Sequence, residues 1–289
     1  MTSDKKPEPF VKWVGGKRGL VERITAYMPE TFNNYHEAFV GGGALFFSLS
    51  DRIKHATILD KNMELMLTYK VIQQKPKELI ELLKQHKAKH SEKYYYEVRS
   101  QIIDDPIQLA ARFIYLNKTC YNGLYRVNNK GFFNVPMGKY EDPPIFEEDN
   151  IMACHKALKN TTILFGDFID ITPEAGDFVY FDPPYHPTTE ASFTKYTKED
   201  FTEKDQARLK DFIVELTNKG VSVMVSNSKT DFIDKLYPQK AFNKVSVDAS
   251  RMINCKSTKR NRVEEYLITN YPVILRQAVL NESRNTSQL

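Results

Sequence analysis

An open α/β sheet interrupted by a helical insertion is the fold class that this sequence predicts. Three observations carry it. Short β-forming runs alternate with helical patterns over residues 20–61 and again over 161–269. Between them, residues 62–150 are dominated by helical periodicity. The runs Tyr35–Val40, Ala56–Asp60 and Asp177–Phe181 run out into glycines or a carboxylate. In open α/β sheets, ligands bind at the carboxyl ends of strands.

The first half opens on Pro9–Leu20, where Trp13 precedes Gly15-Gly16 and Lys17-Arg18. Adjacent glycines let backbone approach a ligand closely, and a following cation suits a carboxylate or phosphate. A Gly-Gly turn with a solvated basic pair is the plainer alternative. A helix is expected from Leu20 to Met28, stopped by Pro29. The strand from Tyr35 runs into Gly41-Gly42-Gly43, and a helix should start at Ala44. Strand, glycines, helix is the plan of a nucleotide-type binding turn, although neither G-x-G-x-x-G nor a P-loop is complete. Asp60 ends the next strand, 17 residues after Gly43. An acid near that spacing commonly binds ribose hydroxyls, while a bare helix cap near Lys61 is the alternative.

The insertion predicts helices over Met63–Gln73, Pro76–Lys89, Ser91–Ile103 and Pro106–Lys118. In the last, Ile107, Ala110, Ala111 and Ile114 share one face. Val127 and Phe132 then flank Asn128-Asn129-Lys130-Gly131, a hairpin signal. Arg126, Lys130, Lys139, Asn122 and Asn128 interleave there with Tyr121, Tyr125, Phe132, Phe133 and Tyr140. Cations, amides and rings on one ribbon suit a DNA groove. Alternatively the rings pack on the helices.

Alternation resumes with a strand at Thr161–Phe165, ending at Gly166-Asp167-Phe168. The run Asp177–Phe181 ends in Asp182-Pro183-Pro184-Tyr185. Proline cannot continue a ladder, so the strand stops at Asp182. A carboxylate, main-chain carbonyls and a ring are thereby gathered on a stiff turn, which could face one small planar group. Taken alone, a simple strand end reads equally well. The polar segment Thr188–Glu199 is expected to be a loop near this turn. A helix over Glu203–Lys219 carries a capping box in Thr202 and Asp205 and an apolar face in Leu209, Phe212, Ile213 and Leu216. The strand Val221–Val225, a short helix at Asp231–Tyr237 and an antiparallel pair at Asn243–Val247 and Val263–Thr269 follow. The basic segment Arg251–Arg262 is either solvated or on phosphates, and the tail Gln277–Leu289 should fray.

Composition bounds the function. The 289 residues, 41% hydrophobic and 27% charged, fit a soluble globular protein. A net charge of +4 permits a nucleic-acid partner without demanding one. Cys120, Cys154 and Cys255 make no zinc or disulfide pattern, and the histidines form no ligand cluster. No metal site is expected. No apolar run of about 18 residues exists to span a membrane, and the N-terminus lacks a signal peptide's apolar region. A cytoplasmic location follows.

In this order the motifs resemble those of the Dam-type DNA adenine N6-methyltransferases, the D12-class alpha group. The resemblance covers roughly residues 9–270. Lys12-Trp-Val-Gly-Gly-Lys17 matches that family's N-terminal motif and Ala38-Phe-Val-Gly-Gly-Gly43 its cofactor loop. Tyr121-Asn-Gly-Leu-Tyr-Arg126 with Phe133-Asn-Val-Pro136 matches its recognition hairpin, and Asp182-Pro-Pro-Tyr185 its catalytic tetrapeptide.

The resemblance implies a Rossmann-like methyltransferase sheet with an inserted, mainly helical target-recognition domain carrying a β-hairpin. It places the S-adenosylmethionine-binding catalytic domain at 1–61 and 151–289 and the recognition domain at 62–150. The implied cofactor is S-adenosyl-L-methionine, leaving S-adenosyl-L-homocysteine, with contacts at Trp13, Lys17, Phe39, Gly41, Gly43, Asp60, Asp167, Phe168 and Asp182. Asp182, Pro183, Pro184 and Tyr185 are the expected catalytic residues, acting on a flipped-out adenine. Lys12, Tyr121, Asn122, Leu124, Arg126, Asn128, Pro136 and Lys139 are the expected DNA contacts, with GATC the expected site. Lys139 stands where the family often has Arg, and Met137 replaces a usual aromatic. The expected partner is double-stranded DNA, with the chain a monomer and any cognate restriction endonuclease acting separately. Two alternatives stay open: the same chemistry at another adenine-containing site, and a catalytically silent DNA-binding module. Relatives acting on RNA or protein glutamine typically carry N-P-P-Y, whereas this chain has Asp182.

Overall fold

A computed structural model of the chain describes residues 5–188, 201–249 and 263–273. Most of the 188–199 segment, the 251–262 segment with Cys255, and the 277–289 tail lie outside them. Seven strands form one mixed sheet: β1 Tyr35–Ala38, β2 Ala56–Asp60, β3 Thr161–Phe165, β4 Phe178–Phe181, β5 Ser222–Ser228, β6 Asn243–Ala249 and β7 Val263–Thr269. Their order is β3-β2-β1-β4-β5-β7-β6. β2 pairs with β3, β1 with β4, and β4 with β5, all in parallel. β7 pairs antiparallel with both β5 and β6. The expected α/β class and closing antiparallel pair are both observed.

The chain divides into two compact units, Met1–Lys17 with Val40–Asp167, and Arg18–Phe39 with Phe168–Leu289. The first holds β2, β3 and six helices: α2 Ala44–Ser48, α3 Met63–Gln74, α4 Pro76–Ala88, α5 Glu92–Ser100, α6 Pro106–Thr119 and α7 Glu148–Ala157. Asn62, Ser91 and Asp105 cap α3, α5 and α6, each accepting a backbone N–H of the first turn. α6 is the hub, buried along most of its length, with α3, α4 and α5 packed on it. Buried Arg112 on α6 donates to the Val98 and Arg99 carbonyls and so closes the open end of α5. α3 packs on β2 and β3 as well as on α6, which puts the helical block and these strands in one unit.

The expected hairpin takes a looser form. The ribbon after α6 makes two isolated bridges, Cys120 with Met137 and Val127 with Phe133, rather than continuous strands. Its turn is the expected one: Asn128 N–H reaches Phe132 O, and Gly131 N–H reaches Asn128 O. α7 has no counterpart among the sequence expectations.

The second unit holds the remaining strands and α1 Val21–Tyr27, α8 Glu203–Asn218 and α9 Asp231–Leu236. Both halves of the Thr202–Asp205 capping box form at the start of α8. β4 is wholly buried, as its unbroken apolar run requires. Phe39, Phe168, Phe181, Phe201 and Phe212 make one aromatic cluster beneath α8.

Candidate active site and DNA-recognition ribbon

Three of the expected site carboxylates stand at carboxyl ends of strands. Asp60 ends β2, Asp167 follows β3 by two residues, and Asp182 follows β4 directly. In the first unit, Asp60 is a tether. Its two carboxylate oxygens accept from Gly41 N–H at 3.0 Å and Asn62 N–H at 2.9 Å. The cap of α3 is Asn62, whose side chain accepts from Leu65 N–H, so the helix-cap alternative for Asp60 does not apply. Burial pushes the Asp60 carboxyl above its ordinary value, against the opposing pull of its backbone bonds to Asn62, Gly41 and Lys61.

Trp13 explains the glycines. A Cβ on Gly41, which has φ +48°, would stand 2.5 Å from the Trp13 ring. The indole thus lies against Gly41, where a side chain would displace it. Its ring also stacks on Tyr125 at 5.8 Å and borders Phe113. Gly43 sits left-handed at the start of α2. Lys17 is buried, with Nζ 3.3 Å from the Gly15 carbonyl. Asp167 pairs with Lys61 at 3.1 Å.

The residues expected to contact DNA lie in the same unit. Buried Asn117 on α6 accepts from Lys12 N–H and donates to Lys12 C=O, both at 2.8 Å, and donates to Gly123 C=O at 3.2 Å. The Lys12 stem crosses Gly123 so closely that a Cβ there would fall 2.5 Å away. The Lys12 ammonium stands 4.4 Å above the Tyr140 ring. Tyr121 N–H bonds to the Pro136 carbonyl, setting these two side by side. Tyr121 and Asn122 are exposed, and Asn122 is in a left-handed conformation at φ 55°. Arg126 is exposed and donates through Nε to the Asn134 side chain at 2.7 Å. Asn128 closes the turn, its Oδ1 accepting from Lys130 and Phe132 N–H. Leu124 is half-buried; Pro136 and Lys139 are exposed. Of the ribbon's rings, Phe133 and Tyr125 pack inward, while Tyr121 and Phe132 stay out. The packing alternative therefore holds for Phe133 and Tyr125, whereas Tyr121 and Phe132 are exposed. Burial, with Glu64 nearby, pushes the Tyr125 hydroxyl up to about 12.

In the second unit, Asp182 leaves the fully buried end of β4, with Pro183 buried behind it. Tyr185 donates to Glu265 of β7 at 2.8 Å. Burial and then the charges of Asp182 and Glu265 hold its hydroxyl well above the ordinary tyrosine value, so it stays a donor. Phe39, at φ 67°, and Phe168 belong to the aromatic cluster. Three buried amides, Asn117, Gln206 and Asn227, were not among the expected site residues. Gln206 had one readable signal: it falls on the apolar face of α8, where Leu209, Ile213 and Leu216 are buried.

The family model of the D12 class N6 adenine-specific DNA methyltransferases matches residues 13–253 of the chain. The chain belongs to that family. The Type II methyltransferase M1.LlaDCHI of Lactococcus lactis subsp. cremoris is 44% identical over 274 residues, covering 91% of this chain and 95% of its own. The Type II methyltransferase M.MjaIII of Methanocaldococcus jannaschii is also 44% identical, over 288 residues, covering 91% and 99%. The DNA adenine methylase of Vibrio cholerae is 35% identical over 288 residues, covering 95% and 100%. The D12-class enzyme described here is thus an adenine-specific DNA methyltransferase with a Rossmann-like α/β sheet, and membership in a methyltransferase family implies use of S-adenosylmethionine. No helix among its described residues is long and apolar enough to cross a membrane.

Proposed function

We propose that the enzyme methylates the adenine of GATC in double-stranded DNA, with Asp182–Tyr185 as its catalytic turn. The observation that carries this reading is the turn itself: a carboxylate leaving a buried parallel strand, followed by two prolines and a ring held from β7. Adenine N6 is a poor nucleophile because its lone pair is delocalised into the ring. The base must leave the helix to be reached. Asp182 and the Pro183 carbonyl would accept both amino hydrogens and draw the nitrogen toward a tetrahedral shape. Tyr185 would stack on the ring. Transfer is then direct, and alignment of the bound reactants supplies much of the rate.

S-adenosylmethionine supplies an electrophilic methyl on a sulfonium. The residues present suit it. Asp60 accepts from Gly41 and Asn62 N–H, with the Lys61 N–H also acting on it, and a carboxylate has about four acceptor positions, leaving capacity for a ribose hydroxyl. Lys17 and the glycine loop suit the methionyl end, with Trp13 shaping that loop. Asp167, Phe39 and Phe168 are proposed to border the cofactor's adenine. On the DNA side, Lys12 and Arg126 would read guanines, and Leu124 and Pro136 the thymine methyl. Tyr121 and Asn122 would enter near the extruded base, and Asn128 and Lys139 would hold the backbone. Asn117 supports the assignment of Lys12, because it fixes that residue to the recognition turn. In this division residues 62–150, joined by Lys12, recognise DNA and the rest of the chain carries the chemistry. A monomeric cytoplasmic enzyme, with any restriction endonuclease a separate protein, completes the proposal.

Radiolabelled S-adenosylmethionine tests it. Label should enter a GATC duplex and not one with a single base of the site changed. Label in both would overturn the site, and label in neither the activity at GATC.

A further inference from the structure

The catalytic turn cannot fasten itself, because Pro183 and Pro184 have no N–H to donate. It is fastened from behind by two buried amides. Gln206 of α8 donates from Nε2 to the Pro184 carbonyl at 2.9 Å. Asn227 of β5 donates from Nδ2 to Gln206 Oε1 at 3.0 Å. Asn227 Oδ1 accepts from His186 N–H at 3.1 Å. The ring of bonds thus closes through the backbone of Pro184, Tyr185 and His186. Both amides are almost wholly inaccessible, Gln206 at 1% and Asn227 at 0% exposure. Their directions are mutually fixed: Gln206 must turn its oxygen to Asn227, which leaves its nitrogen for Pro184. Beyond the ring, Ser228 donates to the His186 carbonyl, and the His186 imidazole stacks on Phe232 at 4.7 Å.

We infer that Gln206 and Asn227 are positioning residues for methyl transfer. They touch no reacting atom. Gln206 takes up the Pro184 carbonyl, and the ring as a whole fixes the peptide planes that aim the Pro183 carbonyl and the Tyr185 ring. Their contribution therefore falls on the rate of the chemical step and not on cofactor or DNA affinity. This rests on the assignment of Asp182–Tyr185 as the catalytic turn.

Gln206→Glu is the test, because it keeps shape while exchanging the donor for an ionisable acceptor. A carboxylate there faces the Pro184 carbonyl with no hydrogen; the protonated acid restores an O–H donor. The full-length enzyme would be followed by single-turnover methylation of a duplex carrying its site, between pH 8 and pH 6. Expected is a loss of about 100-fold at pH 8, the scale of a small misplacement of reacting groups. The loss should shrink at least tenfold toward pH 6, relative to wild type. Dissociation constants for S-adenosylmethionine and duplex should stay within twofold. Asn227→Asp, which removes the donor to Gln206, carries the same expectation and decides the matter if Gln206→Glu does not fold. An unchanged rate, or a loss that tracks weaker binding and does not recover at low pH, would overturn the inference. Asp182→Ala is the control: if it keeps its turnover, the assignment of the turn falls and this inference with it. If Asp182→Ala is inactive while Gln206→Glu is normal, only the inference falls.

Discussion

At the scale of single residues, the two carboxylates at β2 and β4 carry different predictions. Asp182→Ala should remove nearly all single-turnover methylation while gel-shift affinity for duplex DNA persists. Near-normal turnover would sink its catalytic role. Asp60 is a test of charge. Its carboxyl is raised by burial in the folded chain, and the ionised form is the one that accepts from a ribose hydroxyl. Protonation at falling pH therefore removes an acceptor, so cofactor affinity should decline as pH drops through the raised Asp60 pKa. Asp60→Asn should weaken binding about tenfold to a hundredfold, the scale of a hydrogen bond to a charged group, and should flatten that pH dependence. Calorimetric titration with S-adenosylmethionine across pH checks both. The position of Asp60 was legible from the glycine spacing. Its bond to Gly41 was not, because that contact spans 19 residues and depends on how the loop folds back.

At the scale of elements, legibility followed the range of the forces involved. Capping box, proline stop and apolar stripe are local, and the helices bearing them lie within a few residues of expectation. Thr202→Ala should accordingly cost about 1 kcal/mol in denaturant unfolding, as loss of an N-cap does. Helix α7 shows the opposite case. Its buried face includes Asn150, which exchanges two 2.9 Å bonds with the backbone of Glu8, 142 residues away. A polar residue buried by a distant partner breaks the apolar period that would reveal the helix. The ribbon after α6 fell short of strands because Asn122 and Gly131 both take left-handed conformations and Pro136 has no N–H for a ladder. That irregularity has a use. Gly123→Ala would drive a Cβ into the Lys12 stem, where φ is +65°. It should cost about 1–3 kcal/mol, the scale of an overpacked contact. If Lys12 reads a guanine, the same variant should also lower discrimination at one base pair of the site, measured as the ratio of kcat/KM for matched and mismatched duplexes.

At the scale of the whole molecule, the carboxylates proposed for the site and one that serves stability stand at opposite ends of strands. Asp60, Asp167 and Asp182 follow carboxyl ends. At the amino end of β4, buried Asp177 accepts from Asn34 N–H, the Asn34 side chain, Glu174 N–H and His36 Nε2, at 2.9–3.0 Å. Burial raises its carboxyl, but the bonds from Glu174, His36 and Asn34 together outweigh that and leave it below the ordinary 3.8. An acid whose folded pKa is depressed binds fewer protons folded than unfolded. Its stabilisation is thus complete above about pH 4 and lost as pH falls through the folded value. His36 acts in the same direction over a higher window. Burial lowers its imidazole below 6.5 despite Asp177, so the unfolded chain takes up a proton there before the folded chain does. Wild type should therefore lose stability relative to His36→Gln as pH drops below about 6.5. With the imidazole gone, Asp177→Ala in the His36→Gln background isolates the carboxylate. It leaves the part-buried Asn34 and Glu174 N–H groups without that acceptor, so it should cost on the order of 2 kcal/mol at pH 7. That cost should hold down to pH 5 and shrink below pH 4. Urea unfolding across this range decides it, and a cost independent of pH would show that Asp177 acts by shape and not by charge.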